Sequence, residues 1–257
     1  MIPIRDSVRT RSFPYVNVAI ILVNIAVFLY EVNLSQQRTL TAFGVATQLD
    51  VFTVHWGNIP ACTFDALGRA TVQSRSIVCR DQPNPILTPF SAMFIHGSWL
   101  HIAGNMLFLW IFGDNVEDAM GHARYLVFYL LVGLLAAFAH GMVDATSLTP
   151  AIGASGAISG VMGAYIVLFP RATVAAIIGF IIIPIPIPAW VMIGFWFVTQ
   201  VFYGVSSLGN VDAVGAGGGI AYFAHIGGFI AGAALVHVFV LGRGRRASAR
   251  GRYQDVF

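Results

Sequence analysis

Residues 153–160 read GASGAISG and lie within a long apolar part of the chain. Small side chains let two membrane helices approach backbone to backbone, so glycine and alanine are expected where helices touch. Two hydroxyl groups, those of Ser155 and Ser159, stand among them one helical turn apart. The stretch therefore predicts a closely packed membrane helix, and the polar residues elsewhere in the chain must decide whether either hydroxyl reacts.

The composition is that of a membrane protein. Of the 257 residues, 57% are hydrophobic and 10% are charged, whereas soluble domains carry about 25% charged residues. At roughly 20 residues per span, the length allows five to seven membrane helices in one domain. We therefore predict an all-α polytopic membrane protein that is in contact with membrane lipids.

The basic residues are all arginine and gather at the two ends of the chain: Arg5, Arg9 and Arg11 before the first apolar run, and Arg243, Arg245, Arg246, Arg250 and Arg252 after the last. By the positive-inside rule both ends are cytoplasmic, and the number of spans is even. Arginines beside a membrane set topology and contact anionic headgroups, so no nucleic-acid partner is predicted. No cleavable signal peptide is predicted either, because the usual small-residue cleavage site is missing.

Six apolar runs predict six helices, at about 15–32, 100–116, 125–143, 153–169, 189–203 and 220–241. The predicted organisation is a cytoplasmic tail (1–14), a six-helix membrane domain (15–242) and a basic cytoplasmic tail (243–257). A short turn is expected at 117–124, and a mobile glycine-rich outer loop at 206–219. Between the fourth and fifth helices, Pro184, Pro186 and Pro188 exclude a regular helix and predict an extended piece at the membrane interface.

A long polar stretch, about 33–89, is predicted to lie outside the membrane and holds both cysteines. In an oxidising exterior Cys62 and Cys79 could form a disulfide, or they could be two free thiols. A zinc site that adds His55 is less favoured, because the spacing lacks a Cys-x2-Cys pair. We predict no metal and no cofactor.

Four polar residues inside the predicted spans come from three helices and lie at one depth. Each ionisable group costs roughly 2.5 kcal/mol or more in the membrane, which makes it a functional-site hypothesis. His101 and Asn105 share one face of the second helix, while Ser155 and His225 lie near the same end of the fourth and sixth helices. His140 and His237 have no polar neighbour at helical spacing, and packing or interface roles are favoured for both.

Two strips of small residues predict that the fourth and sixth helices touch: Ser155, Ser159 and Gly163 on one, and His225, Gly228 and Gly232 on the other. Close contact would bring a short hydroxyl and an imidazole within hydrogen-bond reach. The alternative is that both strips serve packing alone, as in transporters. The added polar pair on the second helix favours nucleophilic catalysis, which needs a nucleophile, a base and oxyanion donors.

The residues that carry these patterns resemble the rhomboid family of intramembrane serine proteases. His96–Asn105 reads HGSWLHIAGN, residues 153–156 read GASG and residues 224–232 read AHIGGFIAG, each similar to a motif of the family. The resemblance covers roughly 87–121 and 150–232. It implies a bundle of six transmembrane helices, with Ser155 as nucleophile and His225 as general base in a dyad without an acidic third member.

The same resemblance implies an oxyanion site made by His101, Asn105 and the backbone N–H of Ser155. His96, which on a regular helix would point about 140° away from His101, is given a supporting role, as are Gly153, Gly156 and Gly228. Ser159 is expected to be a packing residue. The chain departs from the family at Leu87 and Thr88, where a Trp-Arg pair is frequent, and at Ser159, where some members stack a tyrosine on the catalytic histidine.

The expected activity is hydrolysis of peptide bonds in or near the transmembrane segments of other proteins. A non-catalytic rhomboid-like protein that binds membrane helices is the alternative, and a channel or transporter is disfavoured by the lack of polar residues deeper in the spans. The expected location is a bacterial plasma (inner) membrane, with the active site facing the extracytoplasmic side.

Overall fold

The computed structural model describes residues 1–41, 44–68, 77–179, 181–208 and 220–242. The α-helices in these ranges are α1 (Tyr15–Ser35), α2 (Gln48–Trp56), α3 (Pro60–Ala66), α4 (Ile77–Arg80), α5 (Thr88–Ser91), α6 (Trp99–Met120), α7 (His122–Val143), α8 (Ser155–Leu168), α9 (Ala189–Ser207) and α10 (Tyr222–Val240). The strands are β1 (Ile2–Asp6), β2 (Arg38–Thr41), β3 (Gly44–Thr47), β4 (Thr173–Ile178) and β5 (Ile181–Pro188). The glycine-rich segment 209–219 and the basic tail 243–257 lie outside the described residues.

The fold is mostly helical, and several of its helices are suited to crossing a membrane. In the described ranges, α1, α7, α9 and α10 are long and apolar enough to cross a bilayer, while α8 is apolar but has only 14 residues. Helix α6 has 22 residues and carries carboxylates near its end. Each of the six predicted helices is present and begins within three residues of its predicted start.

The predicted turn at 117–124 is wrong. Helix α6 continues through Glu117 and stops at Gly121, whose φ of 82° breaks the helix before α7 begins. Glu117 is fully buried, and its carboxylate accepts hydrogen bonds from the backbone N–H groups of Val16 (3.0 Å) and Asn17 (2.6 Å). These are orphan donors at the start of α1, where a negative charge is favourable, so the acidic residue ties α6 to α1.

Two small sheets are the part of the fold that an all-α prediction missed. Strands β1, β4 and β5 form an antiparallel sheet in that order, and β2 pairs with β3 in a hairpin within the outer stretch. The extended piece predicted from its prolines is β5. It is an edge strand, and a proline, which has no N–H, is tolerated at an edge because only one side of the strand must pair.

The outer stretch folds against the segment that precedes α8. Asn58 and Ala151 form an antiparallel bridge through both backbone bonds, of 3.2 and 2.8 Å. Cys62 on α3 and Cys79 on α4 are joined in a disulfide, which decides between the two alternatives left by the sequence. The entrance to α8 is therefore held by a cross-linked unit rather than by a free loop.

Helices α8 and α10 are in backbone contact, as their small residues predict. A Cβ atom added to Gly228 would lie 2.1 Å from the carbonyl oxygen of Gly156, and one added to Gly232 would lie 1.9 Å from that of Gly160. The contact face of α8 thus includes Gly156, Gly160 and Gly163, of which only Gly163 belongs to the strip predicted from the sequence, and Ser159 is fully buried. This approach fixes how the N-terminal ends of α8 and α10 face each other.

Candidate active site

A serine and a histidine meet where α8 and α10 touch. Ser155 is the first residue of α8, and His225 lies one turn into α10. The Ser155 Oγ and His225 Nε2 atoms are 2.8 Å apart. The close approach of the two helices at their glycines brings the short serine hydroxyl within hydrogen-bond reach of the imidazole.

Helix α9 supplies two side chains that hold His225. The Gln200 Oε1 atom lies 2.8 Å from His225 Nδ1, and the Trp196 ring lies against the imidazole with centroids 5.7 Å apart. Neither residue was predicted from the sequence, because candidate site residues were sought mainly among ionisable groups and hydroxyls. The signal was present, since Gln200 is an amide in the interior of a mostly apolar helix.

Two side chains of α6 converge on the loop just before Ser155. Gly153 has a φ of +117°, and a Cβ atom added there would lie 2.6 Å from His101 Nε2 and 3.7 Å from Asn105 Nδ2. The Asn105 amide is buried, and its Nδ2 atom has no hydrogen-bond partner among the described residues. An unpaired buried donor costs about 1–3 kcal/mol, which is a reason to expect that it meets a ligand or a reacting group.

His96 lies differently from the sequence expectation. It precedes α6, whose N-cap is Ser98, so the angle of about 140° assumed from a regular helix does not apply. Its ring instead packs edge-on against that of His101, with centroids 5.0 Å apart. His96 is buried, and its ring nitrogens have no hydrogen-bond partner within the described part of the chain.

A buried carboxylate of α1 anchors the loop that carries His96. The Glu31 side chain is 1% exposed and accepts the backbone N–H of His96 at 3.1 Å. Sequence reasoning did not single out Glu31, although an acidic residue within an apolar span is the signal that marks one. The contact connects α1 to the start of α6.

A cavity of about 40 Å³ lies beside Ser155. A space of that size exceeds the 10–15 Å³ that one water needs. Its walls are mostly small, with Gly133, Ala136, Ala137, Gly156 and Ala157 among them. Asn58 and His140 supply polar groups to the lining, so His140 has a place beside the cavity that the sequence did not indicate.

The other candidates lie apart from the reacting pair. Ser159 is fully buried, and its Oγ donates to the carbonyl oxygen of Ser155 at 2.6 Å, one turn back along α8. His237 is exposed near the end of α10. In the ranges that the structure describes, no group of three or more His, Cys, Asp or Glu side chains is arranged to hold a metal ion.

Comparisons with known proteins match the chain to one family. The family model described as "Rhomboid domain" matches residues 84–242. The rhomboid protease GluP of Bacillus subtilis is 33% identical over 202 residues, which cover 77% of this chain and 35% of the relative.

Two mitochondrial proteins are also similar. Rhomboid protein 1 of Saccharomyces cerevisiae is 27% identical over 168 residues (63% of this chain, 44% of the relative). The human presenilin-associated rhomboid-like protein is 31% identical over 149 residues (56% of this chain, 37% of the relative). The chain therefore matches less than half the length of each of these three relatives.

Proposed function

The chain belongs to the rhomboid family, and from that premise we propose that it is an intramembrane serine protease that cuts peptide bonds in or near membrane spans of other proteins. The observation that carries the proposal is the 2.8 Å contact between Ser155 Oγ and His225 Nε2. The Asn105 Nδ2 atom beside Gly153, which has no hydrogen-bond partner in the part of the chain that the structure describes, supports it further. A binding protein without catalysis would need none of these groups in this arrangement.

The proposed reaction begins with attack by Ser155 Oγ on the carbonyl carbon of the scissile bond. The hydroxyl proton moves to His225 Nε2 as the C–O bond forms. The resulting oxyanion accepts hydrogen bonds from Asn105 Nδ2, His101 and the Ser155 N–H, which begins a helix whose dipole favours negative charge. When the C–N bond breaks, the imidazolium gives its proton to the leaving amine.

Water then completes the cycle. A water molecule attacks the acyl ester of Ser155, His225 Nε2 takes a proton from it, and the proton returns to Oγ as the carboxylic product leaves. The cavity of about 40 Å³ beside Ser155 is large enough to hold such a water, with Asn58 and His140 as polar neighbours. No metal and no cofactor take part in this scheme.

The short length of α8 supports a site below the membrane surface. Its 14 residues extend about 21 Å, whereas the hydrocarbon core is about 30 Å thick. If α8 ends at one interface, Ser155 lies roughly 9 Å inside the other. A substrate span would have to unwind locally to present its carbonyl there, and we expect cleavage at small residues near a helix end, with α9 moving to admit the substrate.

We further propose the topology that the arginines suggest: six spans over 15–242, with residues 1–14 and 243–257 in the cytoplasm and Ser155 near the extracytoplasmic face. The start of α8 would then lie on the same side as the outer stretch that bears the disulfide. A bacterial plasma membrane remains the proposed location, although the similar proteins include mitochondrial ones.

Cleavage of a model single-span substrate in detergent or liposomes tests the function. Ser155→Ala and His225→Ala should abolish both cleavage and labelling by a fluorophosphonate, which reacts with an activated serine. Ser159→Ala is the matched control, because it removes a hydroxyl one turn away and should preserve cleavage. Equal cleavage by wild type and Ser155→Ala would refute the assignment, and substrate binding without labelling would support the helix-binding alternative.

A further inference from the structure

Both ring nitrogens of His225 have a partner, although the sequence suggested a dyad alone. Nε2 faces Ser155 Oγ at 2.8 Å, and Nδ1 faces Gln200 Oε1 at 2.8 Å. A neutral imidazole carries one donor nitrogen and one acceptor nitrogen. Which nitrogen carries the proton decides whether His225 can accept the proton of Ser155.

The orientation of the Gln200 amide answers this question. Its Nε2 lies 3.1 Å from the carbonyl oxygen of Trp196, which can only accept a hydrogen bond. Its second contact is to Thr199 Oγ1 at 3.1 Å, and that hydroxyl donates its own proton to the same carbonyl at 2.6 Å. Both contacts therefore require the NH2 group at this position, which leaves the amide oxygen facing His225.

An amide oxygen can only accept, so the Nδ1 of His225 must carry the proton. The other nitrogen, Nε2, then presents its lone pair to the Ser155 hydroxyl. This is the one neutral tautomer in which His225 can act as a general base toward Ser155. In water-soluble serine proteases an aspartate fixes the same tautomer from the same side of the ring.

We propose that Gln200 is the positioning residue of the active site, a neutral third member that fixes the tautomer and orientation of His225. The proposal rests on the function proposed above. A neutral amide serves this purpose without the cost of an unpaired carboxylate in the membrane. Gln200 is itself buried and is carried by α9, so the catalytic pair depends on a third helix.

The tautomer can be measured without any substrate. Nitrogen NMR of histidine-labelled protein in detergent distinguishes protonated from unprotonated ring nitrogens, and His225→Asn identifies the signals of that ring. In wild type we expect Nδ1 protonated and Nε2 unprotonated. In Gln200→Leu, which has similar volume but no acceptor, we expect the two tautomers to be mixed.

Kinetics test whether the tautomer matters. For Gln200→Leu we expect kcat to fall about 10- to 1,000-fold with KM nearly unchanged, because a wrong tautomer costs a serine protease about 10⁴. Gln200→Glu retains an oxygen toward Nδ1 and should recover most of that loss. Ser206→Ala is the control on the same helix, since its hydroxyl is exposed and, within the described ranges, hydrogen-bonds only to the carbonyl of Phe202.

The outcomes separate this proposal from the function on which it rests. If wild type neither cleaves nor reacts with a fluorophosphonate, the proposed function fails. If wild type cleaves and Gln200→Leu cleaves equally fast, with an unchanged NMR signature, the role of Gln200 is refuted. Equal loss in Gln200→Leu and Gln200→Glu, with the wild-type tautomer kept in both, would also refute it, because packing alone would then explain the loss.

Discussion

Gly153 is the single residue at which the backbone and the side chains of the site constrain each other most. Its φ of +117° lies in a region that L side chains rarely adopt, and its missing Cβ leaves room for His101 Nε2. The chain can therefore turn sharply before α8 while the donors of α6 remain beside Ser155. A side chain at this position would disturb both features together.

We predict that Gly153→Ala lowers kcat by about 10²–10³, the usual cost of losing one oxyanion donor. The added methyl would displace His101, whose Nε2 lies 2.6 Å from the Cβ position. Gly104→Ala is the matched control, because a Cβ atom there has no neighbour within 4 Å among the described residues. Steady-state cleavage of a single-span substrate measures both, and an unaffected Gly153→Ala variant would contradict the geometry proposed for the oxyanion site.

Sequence motifs predicted which side chains lie together in the site, but not which side chains hold them in place. The small-residue strips predicted the contact between α8 and α10 that places Ser155 beside His225, and the spacing of His101 and Asn105 predicted that both side chains face the same part of the site. Gln200 was not predicted, because a lone amide has no repeating partner in the sequence, and only the packing of α9 decides where it points. His96 was misjudged because the angle of about 140° assumed a regular helix, whereas His96 lies before the N-cap Ser98, where the backbone is not helical.

Among the elements, the contact between α8 and α10 determines the geometry of the reacting pair. Two carbonyl oxygens of α8, those of Gly156 and Gly160, lie in the positions that Cβ atoms on α10 would need. Backbone atoms cannot rotate away as a flexible side chain can, so any side chain there must separate the helices. The small strips in the sequence thus carry information about distance as well as about packing.

We predict that Gly232→Ala destabilises the protein by about 1–3 kcal/mol or more and abolishes fluorophosphonate labelling. Its Cβ atom would lie 1.9 Å from the Gly160 carbonyl oxygen, two turns along α10 from His225. Gly194→Ala on α9 is the control, since a Cβ atom there meets no described atom within 4 Å. Thermal unfolding in detergent and the rate of fluorophosphonate labelling are the measurements. If Gly232→Ala is labelled as fast as wild type, the two helices can adjust to a side chain at this position, and the prediction is wrong.

The sheet of β1, β4 and β5 shows which strand pairings could not be predicted from the sequence. Alternating prolines excluded a helix for β5 from local sequence alone, and its partner is the preceding strand, β4. The third strand of the sheet, however, is not local. Strand β1 comes from the N-terminal segment and pairs with residues more than 150 positions away. Such pairing depends on how α1 and α8 are placed, which no short pattern encodes.

A titratable group at the end of β1 ties this sheet to the bundle. The Asp6 carboxylate accepts hydrogen bonds from Asn115 Nδ2 at 2.9 Å and from the hydroxyl of Tyr165. Burial raises the pKa of Asp6 from 3.8 to about 6. The folded state therefore binds a proton that the unfolded chain has already released between these pH values.

We predict that wild type loses stability relative to Asp6→Asn as the pH rises from about 4 to 6. The raised pKa means that the stabilising contribution of protonated Asp6 is complete below 3.8 and lost above about 6. The difference is on the order of 2 kcal/mol, reduced from the full shift because Asp6 is partly exposed. Unfolding of the two proteins over this pH range tests it, and a constant difference in stability would show that Asp6 titrates normally.

For the whole molecule, the outer stretch acts as a cross-linked cover on the bundle. The disulfide joins α3 to α4, and α3 packs on α7, where a Cβ atom added to Gly141 would lie 2.5 Å from the Phe64 ring. The bridge between Asn58 and Ala151 then connects this cover to the segment that leads into Ser155. The disulfide thus stabilises the outer stretch, while the Asn58–Ala151 bridge and the packing of Phe64 keep the segment before Ser155 in place.

This separation leads to a prediction for the variant with Cys62→Ser and Cys79→Ser. The cysteines are 17 positions apart, and closing a loop of about that size contributes about 3 kcal/mol, so the variant should unfold at a lower temperature by that difference in free energy. Well below the transition it should still cleave substrate, because the Asn58 bridge and the Phe64 packing do not depend on the sulfur atoms. Reductant should destabilise wild type by the same amount and leave the double variant unchanged. If the variant is as stable as wild type, the cover is held by packing alone, and if it is stable but inactive, the disulfide contributes to the alignment of Ser155.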